Sequence, residues 1–157
     1  MTADSIASIR NVRVVDPHLA TAGQPTEAQL AALAADRYDV VINLALHDDP
    51  RYSLNDEAAA VRALGMEYIH IPVIFSAPAP AQLTQFCDAM DAHAGKRIFV
   101  HCAANYRVTA FIGLYRVLRQ QWDRQSAFAL MDDVWQPDGT WQHFIDTALA
   151  AAPTEKQ

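Results

Sequence analysis

The chain has little of what several large protein classes require. Its two cysteines, Cys87 and Cys102, are too few for a framework of disulfide bonds. No apolar run approaches the ~20 residues that span a bilayer, and residues 1–10 show no apolar segment typical of a secretory signal. We therefore expect a cytoplasmic protein whose thiols stay reduced, with no membrane as partner.

Positive charge is also scarce. The sequence has 12 lysines and arginines against 18 aspartates and glutamates, a net charge of −6. This balance argues against a nucleic acid or an anionic membrane as the main partner. The six histidines show no pairing with carboxylates or cysteines at metal-ligand spacing, so we expect neither a metal nor another cofactor. Any bound anion would need a local positive site.

The order of hydrophobic patterns predicts the architecture. Apolar runs at 40–44, 68–73 and 98–100, with a looser one at 12–15, indicate strands, and segment 19–23 reads as strand or loop. Amphipathic stretches predict helices at 26–36, 54–64, 81–94, 107–121, 124–135 and 140–151. This order predicts one α/β domain over residues 1–157, a three-layer α/β/α fold with a largely parallel sheet of four to five strands. Loops 45–53, 74–80 and 102–107 should then converge beyond the carboxyl ends of the strands.

Segment 97–109 contains the candidate nucleophile and the candidate anion-binding residues. A buried strand ends at His101, a short loop follows Cys102, and a helix begins near Arg107. Loop amides and the helix N-terminus create a site for an oxyanion, and a cysteine there favours the thiolate. Arg107 can offer a planar fork to two oxygens of that anion. The phosphate-binding residues predicted with it are Ala103, Ala104, Asn105 and Tyr106. Alternatively, Cys102 is an inert half-buried cysteine.

The pattern His-Cys, short loop, Arg after a strand resembles the signature of protein tyrosine and dual-specificity phosphatases. Further stretches resemble a bacterial dual-specificity-phosphatase-like group, some members of which are fused to metallo-β-lactamase-fold hydrolases. These are Ala22-Gly23-Gln24-Pro25-Thr26, Val40-Val41-Ile42-Asn43-Leu44 and Tyr68-Ile69-His70-Ile71-Pro72-Val73. The resemblance implies a cysteinyl-phosphate intermediate on Cys102. It also implies supporting roles for His101, which precedes the nucleophile, and for Thr109, which stands where the family has a hydroxyl.

The loop departs from the family in length. Four residues, not five, separate Cys102 from Arg107, and Asn105 replaces the usual glycine. Asn is a common non-glycine residue at positive φ, so we expect the turn to persist. The shorter spacing also resembles the active loop of rhodanese-type sulfurtransferases, which carry sulfur as a cysteine persulfide. A sulfurtransferase and a weakly catalytic phosphate-binding module therefore remain alternatives.

A phosphatase needs an acid to protonate the leaving oxygen. The resembled family often has an aspartate after the Ile-Pro-Val strand, where this chain has Ile74. Asp48 and Asp49 are our candidates, since their loop should reach the same edge of the sheet; alternatively they form a solvated turn. His101 could equally be a core histidine. The predicted substrate is a phosphorylated small molecule or a phosphoprotein.

Overall fold

The structure is a computed structural model that describes residues 6–46, 54 and 56–151. Its strands are β1 (Arg13–Asp16), β2 (Leu19–Ala22), β3 (Val40–Asn43), β4 (Glu67–His70) and β5 (Ile98–His101). The helices are α1 (Glu27–Ala35), α2 (Glu57–Ala63), α3 (Pro80–Ala92), α4 (Tyr106–Gln120), α5 (Arg124–Ala127), α6 (Ala129–Val134) and α7 (Gly139–Ala151), and a 3₁₀ turn covers Ile6–Ser8. Within the described ranges, none of these helices has the length and apolarity needed to cross a membrane.

The five strands form one sheet in the order β1-β2-β5-β3-β4. Strands β2, β5, β3 and β4 run parallel, and β1 pairs antiparallel with β2 at the edge. All residues of β3 and β5 are buried, as expected for strands covered on both faces. The predicted α/β class and largely parallel sheet are confirmed, and β5 lies at the centre with Cys102 directly after it.

Helices cover both faces of the sheet. On one face, Phe86 of α3, Phe111 of α4 and Trp141 of α7 pack with the side chains of β3 and β5 that point that way. On the other face, Leu30 and Leu33 of α1 pack with Val61 of α2 and the remaining strand side chains. Successive strand residues alternate between the two clusters because side chains along a strand point to opposite faces. The three-layer arrangement is therefore confirmed.

Most of the helical pattern is observed where it is predicted, with one correction. Thr26 accepts a hydrogen bond from the Gln29 backbone, and the Gln29 side chain accepts from Thr26 N, the capping box expected at the start of α1. The helix predicted over 124–135 is instead two short helices that meet at Phe128. The ring of Phe128 lies so close to Gly113 that a Cβ there would be 2.3 Å from it, so tertiary packing overrides the local helical pattern.

Candidate active site

The Cys102 loop lines a cavity of about 250 Å³ at the carboxyl end of β5. Arg107 lies in the first turn of α4 and borders the same space. The full lining is Arg10, Phe75, Cys102, Ala103, Ala104, Tyr106 and Arg107. The predicted convergence of segments 74–80 and 102–107 is thus observed, whereas most of segment 45–53 lies outside the described residues.

Two carbonyl groups of the loop accept hydrogen bonds from the segments before and after strands β1 and β2. The backbone N–H of Gln24 donates to Ala103 O (3.1 Å), and Asn11 Nδ2 donates to Ala104 O (2.9 Å). The backbone N–H groups of Ala103, Ala104, Tyr106 and Arg107 donate to no acceptor in the described part of the chain. These amides remain available to an anion, as at other helix N-termini.

Asn105 occupies the conformation that the sequence predicts for it. Its φ of 73° and ψ of 8° place it in the left-handed region, at the N-cap of α4. The side chain is fully buried, and its Nδ2 donates to Asn11 O (2.9 Å) and Thr21 Oγ1 (3.1 Å). Asn11 and residues 104–105 therefore bind each other reciprocally, which fixes the loop against the segment before β1.

The position of Gly23 shows why the Gly-Gln-Pro stretch begins with a glycine. A Cβ at this position would lie 2.4 Å from Ala103 O, so only glycine allows the two segments to approach. Gly23 forms a bridge with Ala104, and its backbone N–H donates to Arg10 O (2.7 Å). This close approach brings Arg10, which sequence reasoning missed, to the mouth of the cavity.

The Arg107 side chain is buried, and only some of its N–H donors have a hydrogen-bond acceptor. Its exposed fraction is 8 %, and Nη1 donates to Val73 O at 2.7 Å. Its Nε is buried and has no hydrogen-bond partner among the described residues. Because a buried donor without an acceptor is costly, this arrangement is suited to an anion that supplies the missing acceptor.

Thr109 contacts the loop but does not line the cavity. Its Oγ1 lies 2.9 Å from Asn105 O and 3.0 Å from Tyr106 O, and it accepts a hydrogen bond from Trp135 Nε1 (3.1 Å). The hydroxyl thus joins the first turn of α4 to α6 through Trp135. This geometry suits the supporting role predicted for it.

His101 belongs to a fully buried polar pair that sequence reasoning missed. Its Nε2 lies 2.5 Å from Oε2 of Glu57, and its Nδ1 lies 3.2 Å from Cys102 O. Gln24 Nε2 donates to the other carboxylate oxygen of Glu57 at 2.9 Å. Glu57 is the first residue of α2, directly after the loop predicted to reach this edge, and that position is the only sequence signal for it.

Aromatic side chains form one side of the cavity mouth. The rings of Tyr106 and Trp135 are stacked, with centroids 4.7 Å apart and planes within 1°. Phe75 lies 5.7 Å from Trp135, and its carbonyl accepts from Trp141 Nε1 (2.7 Å). Tyr106 is 36 % exposed, and it borders the cavity.

The Cys102 loop lies within a region of the chain that matches a known protein family. Residues 10–142 match the family described as "PTP-NADK: DSP-PTPase phosphatase fused to NAD+ Kinase". The chain belongs to this DSP-PTPase phosphatase family. The predicted resemblance to dual-specificity and tyrosine phosphatases is thereby confirmed.

Solved structures share the fold of this chain. A DUF442 protein from Shewanella putrefaciens CN-32 has a TM-score of 0.81 and 32 % sequence identity. That match covers 92 % of this chain and 95 % of the other. TpbA from P. aeruginosa, in complex with pTyr, has a TM-score of 0.64 over 96 % of this chain and 88 % of that chain. At 18 % identity the second likeness shows the fold alone.

A curated relative extends well beyond the matched region. The beta-lactamase hydrolase-like protein of Xylella fastidiosa (strain 9a5c) is 31 % identical over 123 residues. The match covers 76 % of this chain but 28 % of the relative, so the chain spans little more than a quarter of that protein's length. Fusion of this group to metallo-β-lactamase-fold hydrolases stays a prediction.

No carboxylate that could act as the predicted general acid is among the described residues that border the cavity. Asp48 and Asp49 lie outside the described residues. Ile74, at the position of the family's usual aspartate, is 48 % exposed. Asp133 forms an ion pair with Arg13 (2.8 Å), away from the cavity lining. Within the described ranges, no three His, Cys, Asp or Glu residues are placed to hold a metal ion.

Proposed function

We propose that the chain hydrolyses phosphomonoesters through a cysteinyl-phosphate on Cys102. The thiolate attacks phosphorus, the S–P bond forms, and the ester P–O bond breaks as the alcohol leaves with a proton. Water then attacks phosphorus, which releases inorganic phosphate and restores the thiolate. Arg107 and the amides of residues 103–107 stabilise the equatorial oxygens in both steps.

The observation that carries this proposal is the pairing of Cys102 with unsatisfied donors. The free Nε of Arg107 and the unpartnered amides of the loop border the same small cavity as the cysteine. A dianionic phosphate supplies several acceptor oxygens at once, so it satisfies this set better than a neutral ligand does. Arg10 at the mouth adds a further positive charge.

Asp48 or Asp49 is proposed to protonate the leaving oxygen. Their segment joins β3 to α2, and β3 lies beside β5, so it starts next to the Cys102 loop. Substitution of each by asparagine separates the candidates, since only the acid's variant should lose activity on alkyl phosphates while retaining it on activated aryl phosphates. An aryl leaving group needs little protonation, which is why the two substrate classes respond differently.

The aromatic mouth favours a substrate with an aryl group. Tyr106 and Phe75 both border the cavity and both remain partly exposed. Stacking against these rings would orient an aromatic phosphate such as phosphotyrosine, the ligand of the TpbA complex. The net charge of −6 opposes acidic phosphopeptides, so a small phosphorylated molecule or a weakly charged phosphoprotein segment fits better.

A sulfurtransferase is the second candidate, and the four-residue loop favours it. In that reaction Cys102 thiolate attacks the outer sulfur of thiosulfate, an S–S bond forms, and sulfite leaves. Cyanide then takes the sulfur as thiocyanate and restores the thiolate. No step requires a general acid, which agrees with a cavity that no described carboxylate lines.

Parallel assays of an aryl phosphate and of thiosulfate with cyanide distinguish these functions. For the wild type we expect phosphate release without thiocyanate, and for Cys102→Ser we expect a loss of about 10³-fold or more, as for removal of a nucleophile. Cys87→Ser is the matched control, because Cys87 is buried in α3 away from the cavity, and it should retain turnover. Thiocyanate without phosphate release would establish the sulfurtransferase instead. Phosphate binding without either product would indicate a binding module.

A further inference from the structure

A second cavity, of about 320 Å³, lies at the opposite end of the sheet from Cys102. Leu19 and Ile98, the first residues of β2 and β5, line it. Cys102 follows the other end of β5, so the strand separates the two cavities by its length of about 13 Å. A cavity of this volume is large enough to hold a small organic ligand.

This cavity contains an arginine that forms no salt bridge with the described residues, although Asp16 in the same lining acts on it electrostatically. Arg116 lines it near the end of α4 and retains 7 % exposure. Its guanidinium forms no hydrogen bond or ion pair with the described residues. It stacks on the ring of Trp122 instead, with Cζ 4.2 Å from the ring centroid. Trp122 thereby holds the planar fork in place through a cation–π contact.

The cavity lining has more cationic than anionic side chains. Lys96 lines the cavity together with Arg116, and Asp16 is the one carboxylate in the lining. Asp16 Oδ1 already accepts a hydrogen bond from His18 N (2.7 Å). Burial lowers the pKa of Arg116, and the charge of Asp16 opposes this shift. An arginine remains protonated in proteins, so the buried charge is permanent.

Apolar residues form another part of the lining. Leu19, Met90 and Ile98 line the cavity and retain a small exposed fraction, whereas Ile112 is fully buried. A ligand held here would thus meet a charged fork, further polar side chains and a patch of hydrocarbon. This combination matches a molecule with one oxyanion group on an apolar body.

We propose that this cavity binds a small organic anion, whose carboxylate or phosphate oxygens accept hydrogen bonds from Arg116 and whose apolar body contacts Leu19, Met90 and Ile98. A guanidinium offers parallel N–H donors that fit either head group. The site is independent of the reaction at Cys102, because it shares no lining residue with the active cavity.

The three tryptophans of the chain report on the two cavities separately. Trp122 lines the second cavity. Trp135 and Trp141 adjoin the active loop, through Nε1 contacts to Thr109 (3.1 Å) and to the carbonyl of Phe75 (2.7 Å). We would follow the indole N–H signals by ¹H–¹⁵N NMR while adding phenylphosphonate or benzoate, neither of which is a phosphate ester. A saturable shift of the Trp122 signal is the expected result.

Arg116→Met tests the role of the guanidinium, since it keeps an apolar stem and removes the fork. We expect binding at Trp122 to weaken about tenfold or more, the value of a charge-assisted contact. Arg119→Gln is the matched control: it removes a charge one turn away, where Arg119 pairs with Asp88 and Asp91 on the surface, and it should bind as the wild type does. Without ligand, Arg116→Met should melt near the wild-type temperature, because the guanidinium has no hydrogen bond or salt bridge to lose among the described residues and the apolar stem is kept.

Two results would overturn the proposal. One is an equal Trp122 shift in the wild type and Arg116→Met, and the other is movement of Trp135 and Trp141 alone, which reports the active loop. Arg116→Lys guards against a folding defect, since it keeps the charge without the fork. Its affinity should fall between those of the wild type and Arg116→Met.

Discussion

At the scale of single residues, the His101–Glu57 pair links the Cys102 loop to α2. Both ring nitrogens of His101 face acceptors, the Glu57 carboxylate and the Cys102 carbonyl. The ring thus bridges the Glu57 carboxylate and the backbone of the loop. The pair therefore fixes the Cys102 carbonyl, and with it the direction in which the loop leaves β5.

Glu57→Gln should damage turnover more than substrate binding. The amide of the new glutamine would place its N–H₂ group against either Gln24 Nε2 or His101 Nε2. Both of these nitrogens face a carboxylate oxygen of Glu57 in the wild type, so one of them would lose its acceptor. We expect kcat to fall about tenfold, equivalent to about 1.4 kcal/mol, with KM little changed. Stability should fall by about 1–3 kcal/mol, the cost of leaving a buried polar group unsatisfied. Steady-state kinetics and urea unfolding of the same variant measure both effects.

Glu67→Gln is the control for this prediction, since it removes the other His–Glu pair of the described chain. Glu67 lies 3.1 Å from His93, and its side chain is 52 % exposed. An exposed pair contributes about 0–1 kcal/mol, so neither stability nor kcat should move much. Equal losses in the two variants, or a Glu57→Gln effect on KM alone, would contradict a positioning role for Glu57.

The sequence predicts the local part of the site and misses the long-range part. Cys102, Arg107 and the positive φ of Asn105 follow from one strand–loop–helix segment, where spacing and backbone preference suffice. Glu57 contacts His101 across 44 positions, and Asn11 contacts Ala104 across 93. No periodicity relates such pairs, because only the fold brings them together.

At the scale of elements, the helix ends that depend on capping residues and on glycine conformation are the most predictable. The Thr26–Gln29 capping box and Gly65 with φ of 87° after α2 both appear where the sequence places them. The break between α5 and α6 is not predictable in this way. It depends on the contact of Phe128 with Gly113, which belongs to a different helix.

Gly113→Ala should destabilise the protein although alanine favours a helix. A Cβ at Gly113 would lie 2.3 Å from Phe128 Cδ1, inside the packed layer of α4 and α5. Overpacking should cost about 1–3 kcal/mol and the gain in helix propensity is about 1 kcal/mol, so we expect a net loss of up to about 2 kcal/mol. Thermal or urea unfolding measures the difference.

Gly139→Ala tests the effect of helix propensity at a position where the added Cβ causes no packing conflict. Gly139 begins α7, and a Cβ there would meet nothing within 4 Å. That variant should be unchanged or gain up to about 1 kcal/mol. If Gly113→Ala were as stable as Gly139→Ala, the packing of Phe128 on α4 would not explain the helix break. Replacing Phe128 by leucine in the Gly113→Ala background should recover part of the loss, since a smaller side chain relieves the contact.

At the scale of the whole molecule, one central strand and one helix relate the two cavities. The Cys102 loop follows the carboxyl end of β5 and precedes α4, while the Arg116 cavity lies at the opposite ends of both elements. The same sheet separates the two hydrophobic layers, so each layer needs it for burial. This shared dependence favours unfolding of the described core as one unit, as the predicted single domain requires.

Cys87 provides a test of that cooperativity in the Cys102→Ser variant, where it is the remaining thiol. Its exposed fraction is 2 %, and burial raises its pKa to about 11. Both features prevent alkylation of the native state, because the reagent requires an exposed thiolate. Alkylation therefore requires opening of α3 and its surroundings. We expect the opening free energy from labelling rates to match the unfolding free energy from urea, within the usual range of about 5–15 kcal/mol.

The comparison should be made at one pH below 9, where the folded thiol stays protonated. Since the folded pKa lies above the ordinary value of 9.0, the stability contributed by Cys87 is complete below that pH and declines as pH rises towards 11. A labelling free energy several kcal/mol below the urea value would show that α3 opens by itself. In that case the layer that contains α3 and α4 would not share one transition with the rest of the sheet. Agreement of the two values, by contrast, would mean that α3 opens only in the transition that also unfolds β5, α4 and both cavities.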